Sequence, residues 1–244
     1  MTVIPDAKLL MPSLLGGIRV SVTKKYRRTT AALCAAVLFM LTSNTIAVAS
    51  IENLKELQDQ DRKQTAVSKE ISVIRLLPKS EAESGLERTL KGFVVKSGDV
   101  TLDTANEIVR AVTKYGAMYK IDPLLIMAII EHESNYAVLA LSNTGALGLM
   151  QILPRWHIDK IIALGGGKYL NLYDIDTNVH LGSQFFAEKL RDTRDTGKAL
   201  ARYYGGESKA TEDYMKNVMN RYSRMKSVYN EVLASERQIV VASL

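Results

Sequence analysis

Residues 121–154 read IDPLLIMAIIEHESNYAVLALSNTGALGLMQILP, and they open with a helix-start signal. The side chain of Asp122 can accept a hydrogen bond at an N-cap, and Pro123 fits the first helical position. No helix-breaking residue follows before Ser134, so the sequence predicts a helix there. At about 100° per residue, one wide apolar face of this helix collects Leu125, Ile126, Ile129 and Ile130.

Glu133 lies on that apolar face, near the end of the predicted helix. Removing a carboxylate from water disfavours its charged form and raises its pKa. A carboxylic acid that is still protonated near neutral pH is suited to general acid catalysis. Glu131, two residues earlier, points to the other side and is expected to be solvated. Helical geometry alone leaves a plain surface glutamate as the competing interpretation of Glu133.

A turn and an isolated amide follow the helix. Residues 142–145, SNTG, have the composition of a turn. Gly145 and Gly148 lack a Cβ atom, which allows the backbone to approach another segment or a ligand closely. Gln151 interrupts the apolar run LGLMQILP, so it is either a hydrogen-bonded core residue or a ligand contact.

These motifs together resemble the signature of the lytic transglycosylases of the soluble type, which are related in fold to goose-type lysozyme. The similar motifs are Glu133-Ser134, the S-x-x-G-A turn at 142–146 and the G-L-M-Q-x-x-P segment at 148–154. Later segments are similar too: N-x-x-x-G at 178–182, A-L-x-x-Y at 199–203 and Y-x-x-x-V at 214–218. The resemblance covers roughly residues 102–226 and departs from the family at Tyr204, where asparagine is usual.

The resemblance implies a mechanism with one carboxylate, whereas ordinary glycosidases use two. Glu133 would protonate the leaving oxygen of the β-1,4 bond between N-acetylmuramic acid and N-acetylglucosamine. It would then take the proton of the muramoyl 6-hydroxyl, which closes a 1,6-anhydro ring without water. Asp174 and Asp176 are the candidates for a second carboxylate, but their sequence context is more typical of a turn and a helix cap.

Four residues receive roles at the glycan from the resemblance. Met150 and Gln151 are expected to line the glycan groove, although Met150 suits a core position equally well. Ser134 is expected to orient Glu133 or the sugar. Tyr203 is expected to form a hydrogen bond near Glu133 or to stack on a sugar.

Tyr204, a fifth candidate for substrate binding, keeps a second function open. Its hydroxyl replaces the usual asparagine, or it marks a groove that no longer supports turnover. The alternative to an active enzyme is a weakly active or inactive glycan-docking component of a cell-envelope-spanning system. A secretion, conjugation or phage apparatus is the kind of partner considered, and the sequence names none.

The helical patterns predict a mainly α chain, and the resemblance implies a lysozyme-like helical domain with a glycan groove. No segment shows the alternation of a strand. Apolar spacing and capping residues predict helices over 102–119, 123–134, 156–164, 176–191, 198–204 and 211–233. We divide the chain into a signal peptide or membrane anchor (1–50), a helical spacer (51–101), a catalytic domain (102–230) and a tail (231–244).

The first 50 residues have the order of a secretory signal peptide. A basic cluster at 24–28 precedes an apolar run at 31–41, and residues 47–49 read AVA, like a cleavage site. An uncleaved anchor in the inner membrane is the alternative, because 31–49 is about long enough to cross a bilayer. Both interpretations predict a periplasmic or cell-envelope location for the rest of the chain.

The spacer region, 51–101, contains two apolar stripes at helical spacing, and Pro78 follows the second. The stripes are Ile51, Leu54 and Leu57, and then Val67, Ile71, Ile74 and Leu77. The sequence leaves open whether this region is a spacer, packs on the catalytic domain or binds a partner.

Charge, cysteine and histidine content argue against several other chemistries. Residues 1–50 hold six basic residues and one acidic residue, so most of the net charge of +6 lies there and nucleic-acid binding is not indicated. The single cysteine, Cys34, lies in the apolar amino-terminal run, which leaves the rest of the chain without a thiol nucleophile or a disulfide. The three histidines are far apart, and Tyr136 stands where an H-E-x-x-H motif needs its second histidine. We therefore expect no metal and no cofactor.

Overall fold

A computed structural model describes residues 51–77, 83–97, 99–165, 170–206 and 208–242. The chain forms two units, Met1–Asp61 and Arg62–Leu244. In the first unit the described residues, 51–61, are helical and exposed throughout. The predicted signal or anchor segment lies outside the described residues. Within them, no helix has an apolar run long enough to span a membrane.

The second unit is built from helices. We label them α1 (62–76), α2 (Gly85–Lys96), α3 (Leu102–Tyr119), α4 (Pro123–Ser134), α5 (Pro154–Leu164), α6 (Ile175–Thr193), α7 (Thr196–Tyr204) and α8 (Lys209–Ala242). In the described ranges the only β pairing consists of single bridges that join Leu147 to Leu141 and to Ile152. The mainly α prediction is confirmed.

The signals read from the sequence set the bounds of α3 and α4. The Thr101 side chain caps α3 by accepting from the Thr104 N–H, and Asp122 caps α4 by accepting from the Leu124 N–H. Pro123 occupies the first turn of α4, as predicted. Asn135 ends α4 in the left-handed conformation, with a φ of 48°.

Helix α4 is the centre of the core, packed between α3 and α8. All seven residues from Leu124 to Ile130 are buried, so the helix is apolar all round rather than on one face. Further out, α6 packs against α3 and α7, and α8 packs against α7 and α2. This arrangement leaves only the last turn of α4, which carries Glu133, at the edge of the core.

Part of the region predicted as a spacer belongs to this core. Val67, Ile71 and Ile74 of α1 are buried with residues of α2, namely Leu90, Phe93 and Val94. A Cβ atom at Gly92 would collide with the side chain of Ile74, so glycine allows the close contact of α1 with α2. The packed unit therefore starts before residue 102.

Several predicted helix bounds were wrong by a few residues or more. Helices α6 and α7 begin before 176 and 198, because the side chains of Asp174 and Asp195 act as N-caps. Helix α8 continues to Ala242 through most of the predicted tail, and Val232 near that boundary is buried. The polar residues at 235–238 interrupt the apolar spacing of α8, which explains the shorter prediction.

Candidate active site

Glu133 sits on the last turn of α4 and is partly buried. Its Oε1 atom accepts a hydrogen bond of 2.7 Å from the hydroxyl of Tyr214 on α8. Burial raises the pKa of Glu133 to about 7, although the bond from Tyr214 acts to lower it. The carboxyl group is therefore divided between its acid and its conjugate base near neutral pH, as the sequence predicted from its apolar surroundings.

Tyr214 is held by two further rings. The His132 ring meets it edge-on at 4.9 Å between centroids, and the Tyr204 ring stacks on it at 4.7 Å. Burial raises the pKa of Tyr214 far above its ordinary value, so the phenol stays protonated and acts as a donor to Glu133. This role was not predicted from the sequence, although Tyr214 stands in the Y-x-x-x-V motif.

Tyr203 is tied to the loop that precedes α5. Its hydroxyl donates to the carbonyl oxygen of Met150 at 2.9 Å, and its ring meets Phe186 edge-on at 6.0 Å. Burial raises the pKa of Tyr203, and the charge of Glu133 adds to this effect. The hydroxyl thus binds the backbone near the site rather than Glu133 itself.

The prediction that Met150 lines the glycan groove was wrong, because its side chain does not line a groove. It is fully buried and packs against Gly182, where a Cβ atom would collide with the methionine sulfur. Its backbone N–H donates to Oδ1 of Asn178 at 2.8 Å. An apolar residue in the G-L-M-Q segment suits a core position and a groove position equally well. Gly182 on α6 provides the space that makes Met150 a core residue.

Asn178 fixes the loop that carries the G-L-M-Q segment onto α6. Its Nδ2 atom donates to the carbonyl oxygens of Leu147 and Leu172, at 2.9 Å and 2.7 Å. Gly148 has a φ of 73° and lies so close that a Cβ atom would collide with Asn178. The glycine therefore allows the close approach that was expected at this position.

Gln151 and Ser134 both direct polar atoms to backbone carbonyls. The Nε2 of Gln151 donates to the Gly148 carbonyl oxygen at 2.9 Å, and the residue holds a φ of 48°. The hydroxyl of Ser134 donates to the Ile130 carbonyl oxygen at 3.2 Å. In this arrangement Ser134 does not bind Glu133, whereas the amide of Gln151 is fixed at the wall of a groove.

That groove has a volume of about 350 Å³ and lies beside Tyr203 and Tyr204. Trp156 on α5 is 71% exposed and forms part of its rim, and Tyr204 on α7 is 50% exposed. The other lining residues are Gln151, Ile152, Leu153, His157, Phe185, Lys189, Arg202 and Gly205. Since Tyr204 also stacks on Tyr214, the groove is one ring away from the partner of Glu133.

Glu131 is only partly exposed and forms an ion pair, so the expectation of a freely solvated side chain was wrong. Arg224 of α8 donates to both of its carboxylate oxygens, at 2.9 Å and 2.6 Å. The same guanidinium lies 3.3 Å from Glu70 of α1, whose side chain is 1% exposed. Helices α1 and α8 cover the face of α4 that was expected to meet solvent.

The two candidate second carboxylates have structural partners. Asp174 accepts from the Thr177 N–H at 2.8 Å as the N-cap of α6, which confirms that part of the prediction. Asp176 accepts from the Tyr115 hydroxyl at 2.6 Å and pairs with Lys114 on α3 at 2.9 Å. The pKa of Asp176 is lowered, because the hydrogen bonds from Tyr115 and Lys114 outweigh its desolvation, whereas burial raises the pKa of Glu133.

Residues 110–229 match the protein family described as the transglycosylase SLT domain. This region belongs to that family. It contains Glu133, Tyr214 and every side chain that lines the groove.

Two relatives are similar over part of the chain. The transglycosylase of Enterobacteria phage PRD1 is 32% identical over 108 residues, which cover 42% of this chain and 38% of that protein. The membrane-bound lytic murein transglycosylase E of Buchnera aphidicola is 30% identical over 105 residues, with 41% and 42% covered. The chain thus spans about two fifths of the length of these relatives.

Solved structures of lytic transglycosylases are similar at lower identity. The 70-kDa soluble lytic transglycosylase from Escherichia coli is 19% identical, with a TM-score of 0.46 over 71% of this chain and 34% of that one. An inactive mutant of the lytic transglycosylase Slt from Pseudomonas aeruginosa is 16% identical, with a TM-score of 0.46 over 64% and 32%.

Proposed function

We propose that this protein is a peptidoglycan lytic transglycosylase. It cleaves the β-1,4 bond between N-acetylmuramic acid and N-acetylglucosamine and leaves a 1,6-anhydromuramoyl end. The observation that carries the proposal is the partly buried Glu133, with a pKa of about 7, whose hydrogen-bond partner Tyr214 stacks on Tyr204 of an aromatic-lined groove. Exposed aromatic faces are suited to the apolar faces of sugar rings.

In the first step, protonated Glu133 gives its proton to the glycosidic oxygen as the bond to the muramoyl C1 atom breaks. Positive charge develops at C1 and is stabilised by the N-acetyl group of the substrate. In the second step, the Glu133 carboxylate takes the proton of the muramoyl 6-hydroxyl, whose oxygen forms the new bond to C1. The glutamate ends protonated, no water is consumed, and a pKa near 7 serves both steps.

Tyr214 supports both states of Glu133 in this mechanism. Its hydroxyl donates to Oε1, so the other oxygen, Oε2, is the one that exchanges the proton with substrate. The same bond stabilises the carboxylate after the first step and orients it for the second. Tyr203 acts indirectly, because its hydroxyl fixes the loop backbone at Met150.

The proposed substrate and location go together. Peptidoglycan strands lie in the cell envelope, and export by residues 1–50, as a cleaved signal or a retained anchor, would bring the domain to them. The relative from Buchnera aphidicola is named as membrane-bound, which agrees with an envelope location.

The test is digestion of purified peptidoglycan, with the muropeptides weighed by mass spectrometry. We expect products one water lighter than reducing-end muropeptides from the wild type and none from Glu133→Gln. Glu107→Gln is the matched control, because Glu107 is exposed on α3. Reducing-end products would indicate hydrolysis instead. If the wild type binds the glycan but forms no products, a glycan-docking role is favoured. Tyr204→Asn would then be the first substitution to test.

A further inference from the structure

The groove beside Tyr203 and Tyr204 carries positive charge that a neutral sugar does not need. Lys189 of α6 and Arg202 of α7 both line it, and its lining contains no aspartate or glutamate. In the described part of the chain, neither cation forms an ion pair. By contrast, Lys160 on α5 pairs with Glu188, so its charge is compensated.

Lys189 and His157 line the same groove, and the charge of Lys189 acts on the His157 ring. Burial lowers the pKa of His157, and the charges of Lys160 and Lys189 lower it further. The His157 ring stacks on Phe185 at 3.7 Å between centroids, which fixes it at this wall. His157 is therefore neutral near pH 7, and the net charge of the lining comes from Lys189 and Arg202.

The rings of a β-1,4 glycan of N-acetylated hexosamines are uncharged. Trp156, Tyr203 and Tyr204 provide the aromatic surface that such rings need. Arginine offers a planar fork of donors that matches a carboxylate, and lysine adds a point charge. Two uncompensated cations in the same groove thus indicate an anionic substituent on the glycan.

We propose that Lys189 and Arg202 form a carboxylate-binding subsite that selects acidic peptidoglycan over neutral glycan. This inference rests on the proposed function, because it assigns the groove to the same substrate. The carboxylates of peptidoglycan belong to its peptide stems or, where the stem is absent, to the lactyl group of the muramoyl residue. Both sources present the same chemistry to the two cations.

The experiment compares four substrates: glycan strands with peptide stems and strands without them, each in native form and with its carboxyl groups converted to methylamides. For one of the two strand types, we expect the wild-type kcat/KM to be about tenfold higher on the native form than on the methylamidated form. The strand type that shows this difference identifies the source of the carboxylate. Lys189→Gln/Arg202→Gln should lose this preference, because its KM on native strands should rise to about the KM that the wild type shows on methylamidated strands.

The matched control is Arg191→Gln/Lys198→Gln, which removes two exposed charges from the same helices outside the groove lining. This control should keep the full preference for native strands. The proposal is overturned if the wild type treats native and methylamidated strands alike. It is also overturned if the groove variant loses activity equally on both, since that result indicates a structural role.

A binding measurement separates this inference from the proposed function. The full chain with Glu133→Gln is titrated with the same four strands. If no anhydro product forms with the wild type, the lytic function fails, but tighter binding to native than to methylamidated strands still supports the subsite. Equal binding to both forms overturns the subsite even if lysis is observed.

Discussion

The hydroxyl of Tyr214 donates a hydrogen bond of 2.7 Å to Oε1 of Glu133, and this bond joins α8 to the last turn of α4. The environment of the acid acts in two directions. Burial favours the protonated carboxyl group, whereas the hydrogen bond favours the carboxylate. The balance places the pKa of Glu133 at about 7. A group that must give and then accept a proton benefits from such a balance.

Tyr214→Phe should raise the pKa of Glu133 above 7, because it removes the interaction that favours the carboxylate while burial remains. The alkaline limb of the kcat/KM profile should therefore move to higher pH. We expect kcat to fall by about tenfold as well, since the carboxyl group loses its orientation. The measurement is a pH–rate profile on soluble glycan strands.

The control for this prediction lies on the same two helices. Tyr222 of α8 donates to Oδ2 of Asp122 at the start of α4, also at 2.7 Å. Tyr222→Phe removes an equivalent bond away from Glu133 and should leave the pH profile unchanged. An alkaline limb that stays in place or moves to lower pH with Tyr214→Phe would contradict the role of the hydrogen bond.

Glu133→Gln should make the protein more stable at pH 8 and change its stability little at pH 4. The folded pKa of about 7 exceeds the ordinary value of 4.5, so the unfolded chain loses its proton first as the pH rises. Between these values the wild type loses stability, up to about 3 kcal/mol from this group. Glutamine does not titrate, so the variant avoids the loss. Denaturant unfolding of both chains at pH 4 and pH 8 tests this prediction. The same change in the free energy of unfolding between the two pH values for both chains would rule it out.

Tyr204→Asn should lower the pKa of Glu133. The Tyr204 ring covers Tyr214 at 4.7 Å, and its removal lets water approach the hydrogen-bonded pair. Less desolvation favours the carboxylate, so the alkaline limb should move to lower pH. Tyr204→Phe keeps the stacked ring and should keep the wild-type profile. If phenylalanine and asparagine shift the profile equally, the hydroxyl rather than the ring is responsible.

Local signals in the sequence predicted the parts of the site that depend on one helix. Asp122, Pro123 and the apolar spacing around Glu133 are read within a few turns, and the raised pKa follows from them. Tyr214 is 81 residues from Glu133, so its hydrogen bond depends on how α8 packs on α4. The same limit explains the error for Glu131, whose partner Arg224 is 93 residues away. The prediction for Met150 was wrong for another reason, because an apolar residue carries no signal that separates a core position from a groove position.

A chain that begins at residue 102, where the sequence placed the catalytic domain, should not fold stably. It lacks six buried apolar side chains of α1 and α2: Val67, Ile71, Ile74, Leu90, Phe93 and Val94. Burial of each contributes roughly 1.5–3 kcal/mol, so their sum is comparable to the roughly 5–15 kcal/mol of net stability of a whole domain. The truncation also removes Glu70, which binds Arg224 beside Glu131. We expect a broad thermal transition by circular dichroism and no lysis.

A chain that begins at residue 62 keeps these contacts and is the control for the truncation. The described residues removed from it, 51–61, are exposed throughout, so its thermal transition should match that of a chain beginning at residue 51. The family match itself starts at residue 110, yet the buried hydrophobic core that includes α4 and α8 starts at Val67. A cooperative transition and normal lysis from the chain that begins at residue 102 would show that α1 and α2 are dispensable, because α4 and α8 would then hold Glu133 and Tyr214 together without them.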